Sequence, residues 1–362
     1  MADASLAPLP TTVLTGFLGS GKTTLLRRAL ADPRFADTAV VVNEIGAVAI
    51  DHYLVDFAEG AVLELPGGCL CCALREDVAR TLRELVDRRD AGAIRPFRRI
   101  VIETSGLADP APILYTLGAD PMLDARLSLG RVVTVVDAET GAATLARFAE
   151  AARQAAMADA VVISKTDLAP VSDGLEAALA GLNPAAERIV GQEIDDPGSV
   201  LFRNPAPPSP DQARGGKGAR PHSPFPFPAG GERPGWGHEA AHTHGIDSFT
   251  VILDGAVSRL DFAKALGRVA AVCGSDLLRV KGIVAFADRD GAPALVQGAQ
   301  HTLFAPEWLD AWPDDDHRSR LVFVVHDVAR ELVLAPFAFA SPTVIGPQAS
   351  HLQAGERPAF HS

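Results

Sequence analysis

The chain has 362 residues, 48% of them apolar and only 6% aromatic, which is ample to bury a core without covalent stapling. A formal charge of −12 weighs against a nucleic-acid-binding surface, and nowhere is there an apolar run of about 18 residues to span a membrane. Four cysteines in a chain this long, three of them clustered, with no basic leader before the first apolar run, point to a cytoplasmic protein.

Through residue 168, short β-branched runs alternate with helical stretches. Strands are expected at 11–17, 38–44, 61–65, 98–104, 131–138 and 159–165. Their near-continuous apolar character suits strands buried on both faces of a parallel sheet. Between them, Leu74, Val78, Leu82, Leu85 and Val86 fall on one stripe of a helix. The pattern predicts an α/β fold over residues 1–200, doubly wound about a mostly parallel sheet. Residues 201–245 are dense in Pro and Gly without periodicity and are expected to form a disordered linker. Residues 246–340 alternate strands and helices again, as a second, smaller α+β C-terminal domain, and 341–362 reads as a loose tail.

Residues 16–23, GFLGSGKT, fit the phosphate-binding pattern G-x-x-x-x-G-K-[ST] at every fixed position, between an apolar strand and a helix. Gly16, Gly19 and Gly21 can take the left-handed conformations that wrap backbone N–H groups, with those of Ser20 and Thr24, round a phosphate. Lys22 would reach the β- and γ-phosphates and Thr23 would place its hydroxyl on Mg²⁺. IVIETSG (100–106) places Glu103 at the end of a buried strand, to contact Mg²⁺ or orient the attacking water, with Gly106 as the γ-phosphate sensor. Lys22 and Glu103 are therefore the catalytic candidates.

VVISKTD (161–167) ends another buried strand in Ser164, Lys165 and Asp167. The Asp167 carboxylate can accept from the guanine N1–H and N2–H₂ together, a donor pair that adenine lacks, while the Lys165 stem packs along the base. A serine stands at 164, where asparagine is commonest in the guanine motif. The expected nucleotides are GTP and GDP. An ATP-dependent small-molecule kinase with a similar P-loop is disfavoured by Asp167.

GGCLCC (67–72) gathers Cys69, Cys71 and Cys72 on one glycine-led loop. Neighbouring Cys71 and Cys72 are poorly placed to bridge each other. Metal ligation, redox chemistry at the Cys69–Cys72 spacing and inert buried thiols remain as readings. Cys273 sits alone in an apolar helix and reads as core, His52, His301 and His326 as structural, and Trp308 and Trp312 as packing of the second domain.

Together, GFLGSGKTTLL, VVNEIGAVAID (41–51), GGCLCC, ETSGLADP (103–110) and SKTD resemble the CobW family of P-loop GTPase metallochaperones, and LLRVKGIVAFAD and RLVFVVH look like its C-terminal domain. The resemblance implies a slow GTPase whose C-x-C-C loop carries a transition metal for a client metalloprotein. Three thiolates suit Zn²⁺, with Cu(I) and Co²⁺ also acceptable. Glu44 is a candidate oxygen ligand, and many relatives carry carboxylates where this chain has Val42 and Ala47. His238, His242 and His244 on the linker could capture metal weakly, or merely be histidines of a linker. A GTP-binding metal buffer or sensor with little turnover is the alternative. Neither a nucleic acid nor a membrane is expected as partner.

Overall fold

The computed structural model describes residues 8–43, 62–64, 73–202, 244–289, 292–300, 302–313 and 316–345. Glu44, His52, the cysteines at 69, 71 and 72, His238, His242 and His301 lie outside the described residues, as do 203–243 and 346–362.

The first domain is a seven-stranded parallel sheet in the order β3-β2-β4-β1-β5-β6-β7. Its strands are β1 (Leu9–Thr15), β2 (Thr38–Asn43), β3 (Val62–Glu64), β4 (Arg99–Thr104), β5 (Leu127–Asp137), β6 (Ala160–Ser164) and β7 (Glu187–Val190). The helices are α1 (Lys22–Leu30), α2 (Ala73–Asp90), α3 (Ala111–Ala119), α4 (Pro121–Asp124), α5 (Gly141–Arg147), α6 (Ala149–Ala156), α7 (Asp173–Leu182) and α8 (Pro197–Phe202). Val78, Leu82, Leu85 and Val86 of α2 are buried, so the apolar stripe read from the sequence faces the sheet. β7 was missed because ERIV is too short and too polar to read as a buried strand. α8 carries ordered chain to Phe202, past the expected start of the linker, because Val200 and Leu201 pack beneath β1 and β5 and Phe202 stacks on Phe35.

The second domain is a mostly antiparallel sheet, β11-β10-β9-β13-β8-β14, with β12 on β10. It comprises β8 (Ile246–Leu253), α9 (Arg259–Cys273), β9 (Leu277–Val284), β10 (Ala294–Ala299), β11 (Thr302–Leu303), β12 (Glu307–Trp308), β13 (Ser319–His326), α10 (Arg330–Leu334) and β14 (Thr343–Ile345). β14 pairs with β8, so ordered structure runs past 340 into what reads as tail: a three-residue edge strand has too little pattern to be seen in sequence. Cys273, the last residue of α9, is buried, which pushes its thiol up, and Trp308 packs edge-on to Phe286. His326 contacts Asp276 at 3.2 Å. Among the described residues, no helix is long and apolar enough to cross a membrane.

An antiparallel sheet usually leaves one face wet. Here β10 is buried at every position and β13 at all but its last. One face carries α9 and α10; the other lies on the first domain, where Ile246, Leu278, Ala299 and Val324 join the apolar core of the parallel sheet. At the centre of this junction is Asp159, which immediately precedes β6 and is buried. Arg279, also buried, gives it two hydrogen bonds of 2.8 Å, Lys281 approaches to 2.6 Å and the Val132 N–H donates at 2.8 Å. Arg279 and Lys281, two apart on β9, present both cations to the same face. Burial pushes the Asp159 carboxyl up, but Arg279 and Lys281 outweigh it and hold it well below the ordinary carboxylate range.

Asp159→Asn leaves two cations at a buried junction without their counter-charge and should cost about 3–5 kcal/mol in urea unfolding at neutral pH. Because the folded carboxyl is depressed, its contribution is complete above the unfolded value near pH 4 and fades as pH falls below it. The gap between wild type and variant should therefore close in acid; a gap independent of pH would contradict the assignment.

Candidate nucleotide site

The carboxyl ends of β1, β4, β5 and β6 converge, as the parallel register demands: Leu14 lies opposite Glu103 and Val133, and Asp137 opposite Ser164. Open α/β sheets bind ligands at this edge.

The loop after β1 takes positive φ at Gly16 (141°), Gly19 (71°) and Gly21 (99°). Gly16 is forced to be glycine twice over, since a Cβ there would overlap the Val135 carbonyl oxygen and stand 2.9 Å from Ser20 Oγ. Gly21 caps α1 without any side-chain hydrogen bond, leaving the first-turn N–H groups of the helix for an anion. Lys22 Nζ folds back over the loop, donating to the carbonyls of Gly16 at 2.9 Å and Phe17 at 3.3 Å. Ser20 is buried and Thr24 is exposed.

Thr23 Oγ1 donates to Glu103 Oε1 at 2.6 Å, across 80 positions of sequence. Glu103 is only 4% exposed. A hydroxyl and a buried carboxylate meeting beside a phosphate loop are hard oxygen donors, the chemistry that fits Mg²⁺. Gly106 packs on the loop's Leu18, and a Cβ there would lie 2.7 Å from Leu18 N.

Ser164 stands at the end of β6 as expected, but its hydroxyl donates at 2.6 Å to the Ser20 carbonyl. It ties the end of β6 to the phosphate loop rather than reaching outward. Lys165 has φ 55°, a strained setting for a side-chain-bearing residue, and its Nζ lies 3.6 Å from Asp137 Oδ2. Asp167 is exposed two residues further on. Asp137 escaped the sequence reading although the signal was there: like Glu103, it is an acid ending a buried strand, VVTVVD. It also accepts from Thr140 N at 2.6 Å, fixing the turn into α5.

Of the linker histidines, His244 is described: its Nε2 lies 3.1 Å from the Leu145 carbonyl, so that nitrogen donates to α5. Among the described residues, no group of three or more His, Cys, Asp or Glu is placed to hold a metal ion.

Residues 10–190 match the CobW/HypB/UreG nucleotide-binding domain and residues 246–340 match the cobalamin synthesis protein CobW C-terminal domain. The chain belongs to the CobW family. Among CobW-family relatives it is 31% identical over 333 residues to the zinc chaperone YjiA of Escherichia coli (strain K12), covering 91% of this chain and 98% of that protein. It is 30% identical over 374 residues to the zinc chaperone CobW of Sinorhizobium sp, covering 92% and 98% respectively. The crystal structure of Zn(II)-bound YjiA GTPase from E. coli aligns with a TM-score of 0.61 at 27% identity, over 92% of this chain and 99% of that one.

The clash at Gly16 makes a direct test possible. Gly16→Ala should weaken nucleotide binding at least about tenfold, because relieving the overlap moves the loop N–H groups off their common focus. Fluorescent-nucleotide titration measures it; wild-type affinity would mean that the loop does not hold the phosphates.

Proposed function

We propose that this CobW-family protein is a GTP-hydrolysing metallochaperone that carries Zn²⁺ on Cys69, Cys71 and Cys72, with Glu44 as an added oxygen ligand, and passes it to a client metalloprotein. The observation that carries the reading is the register at the carboxyl edge of the sheet. Val42 pairs with both Glu103 and Glu64, and Asn43 pairs with Thr104. The backbone therefore leaves β2 and β3, toward Glu44 and toward the cysteines, at the level of the Thr23–Glu103 contact. Glu44 directly follows β2 in sequence and Cys69 comes five residues after β3, so a metal held there can be coupled to the γ-phosphate site without a long pathway.

In this reading Lys22 exchanges its carbonyl contacts for the β- and γ-phosphates, and the Gly21-capped helix end takes the remaining charge. Thr23 would hold Mg²⁺ through its hydroxyl, and Glu103 through water. When bound, Mg²⁺ supplies charge neutralisation across the β- and γ-phosphates. Glu103 orients the attacking water, and Gly106 faces the γ-phosphate. Lys165 lies along the base, and Asp167 accepts its two guanine-specific hydrogen bonds. The names and Zn(II)-bound state of the YjiA relatives support zinc as the cargo.

Two experiments test this. Asp167→Asn removes charge-assisted bonds of roughly 1.5–3 kcal/mol each, so GTP affinity should fall at least about tenfold and preference should shift toward xanthosine triphosphate. Competition of Zn²⁺ against a chromogenic chelator should differ roughly 5- to 150-fold between the GDP state and a non-hydrolysable GTP analogue. By linkage, whichever nucleotide tightens zinc must itself be tightened by zinc. Cys71→Ser should lose tight zinc while keeping nucleotide. Equal zinc affinity in both states, with the cysteines intact, would leave a GTPase that merely carries thiols.

A further inference from the structure

The loop 105–109 that follows Glu103 is gripped from behind by one buried side chain. Gln154, on α6, is 0% exposed, and its Nε2 donates to the carbonyls of Gly106 at 3.2 Å and Ala108 at 2.9 Å. One NH₂ group thus holds two carbonyls two residues apart. A trans peptide sets C=O and N–H on opposite sides, so pinning the Gly106 oxygen toward α6 turns the Leu107 N–H away from it. The same grip sets the Ala108–Asp109 peptide. Neighbouring Arg153 reaches Asp109 at 3.2 Å, and Asp109 in turn accepts from Ala111 N at 2.9 Å, at the start of α3.

Packing alone does not call for an amide here. The rest of the buried face of α6 is alanine (Ala151, Ala152, Ala155 and Ala156), and an apolar side chain would fill the space at 154. Among the described residues, Gln154 Oε1 has no hydrogen-bond partner, an arrangement that costs stability when a buried polar atom goes unmatched. The backbone of α6 is itself held: Thr134 Oγ1 donates to the Gln154 carbonyl at 2.7 Å, and Arg279 of the second domain donates to the Met157 carbonyl at 2.5 Å. A costly polar group on a fixed helix, spending both its donors on one loop, is arranged to set that loop's peptides.

We infer that Gln154 is a positioning residue for GTP hydrolysis, fixing the peptide planes of the Gly106 loop so that the protein distinguishes GTP from GDP. The inference rests on the reading of Gly106 as the step that faces the γ-phosphate. Gln154 touches neither nucleotide nor metal; it acts through the loop. GDP lacks the group that the loop meets, so its binding is indifferent to Gln154.

The test uses the full-length protein with Mg²⁺ and two variants. Gln154→Met keeps the volume and removes both donors; Gln154→Asn keeps the amide but falls one methylene short. In each, kcat for GTP should fall roughly ten- to hundredfold, and affinity for a non-hydrolysable GTP analogue should drop toward that for GDP. GDP affinity should stay within about twofold, because the phosphate loop itself is untouched. An unchanged ratio of analogue to GDP affinity in a folded variant overturns the proposal. So does loss of both nucleotides in parallel with thermal stability, or failure of both variants to fold, since either makes Gln154 a packing residue. A wild-type protein that hydrolyses no GTP would instead remove the underlying reading, whatever the variants do.

Discussion

Asp159 carries a negative charge inside the protein, and the relation between the two domains follows from keeping it there. A buried carboxylate is expensive unless it is paired and hydrogen-bonded. Here the compensation comes from both sides of the junction: the Val132 N–H from the first domain, Arg279 and Lys281 from the second. The second sheet cannot turn away without exposing two cations and stranding one anion. This accounts for an antiparallel sheet buried on both faces, with Ile246, Leu278, Ala299 and Val324 in the core of its neighbour. Hydrophobic area supplies the attraction, and the charge cluster fixes the register.

The same strand that begins at this junction ends at the nucleotide edge. β6 spans five residues from Ala160 to Ser164, and the Ser164 hydroxyl closes on the Ser20 carbonyl of the phosphate loop. The phosphate loop and the end of β6 are thus bound to each other directly. The strained φ of Lys165 occurs immediately after this contact, where the chain must turn from strand to exposed loop while its ammonium stays near Asp137. Strain of this kind persists only where the surroundings over-determine it, and here a parallel strand on each side of β6 and the Ser20 contact do so.

Much of this was legible in sequence because single positions were constrained by local geometry. The glycines at 16, 19 and 21 each take positive φ, the buried run ahead of Glu103 is a strand, and the stripe through Val78, Leu82, Leu85 and Val86 faces the core. What was not legible depends on contacts made at long range. Nothing in SKTD says that its serine will be used by Ser20, 144 positions away, and nothing in AEAARQAA says which of its faces meets a loop 46 residues upstream. β7 and β14 escaped because short strands are stabilised by their partners rather than by their own pattern. Asp137 is a different case: its position at the end of an apolar strand was readable by the rule that found Glu103.

The loop between Glu103 and α3 is where these constraints meet. Two helices flank it, and both end on the second domain. α6 ends where Arg279 takes the Met157 carbonyl, and the last turn of α3 carries Gly118, where a Cβ would overlap Thr302 and crowd Phe304. A ligand shifts an equilibrium only by the difference in its affinity for the two states. Gln154's two hydrogen bonds, about 0.5–1.5 kcal/mol each, hold these peptides, and both flanking helices are docked on the second domain. The loop is thus set before any γ-phosphate arrives. In the proposed reading, GTP and GDP then differ by the contacts that GDP cannot make with a preset loop, and neither the loop nor the frame set by Asp159 has to move.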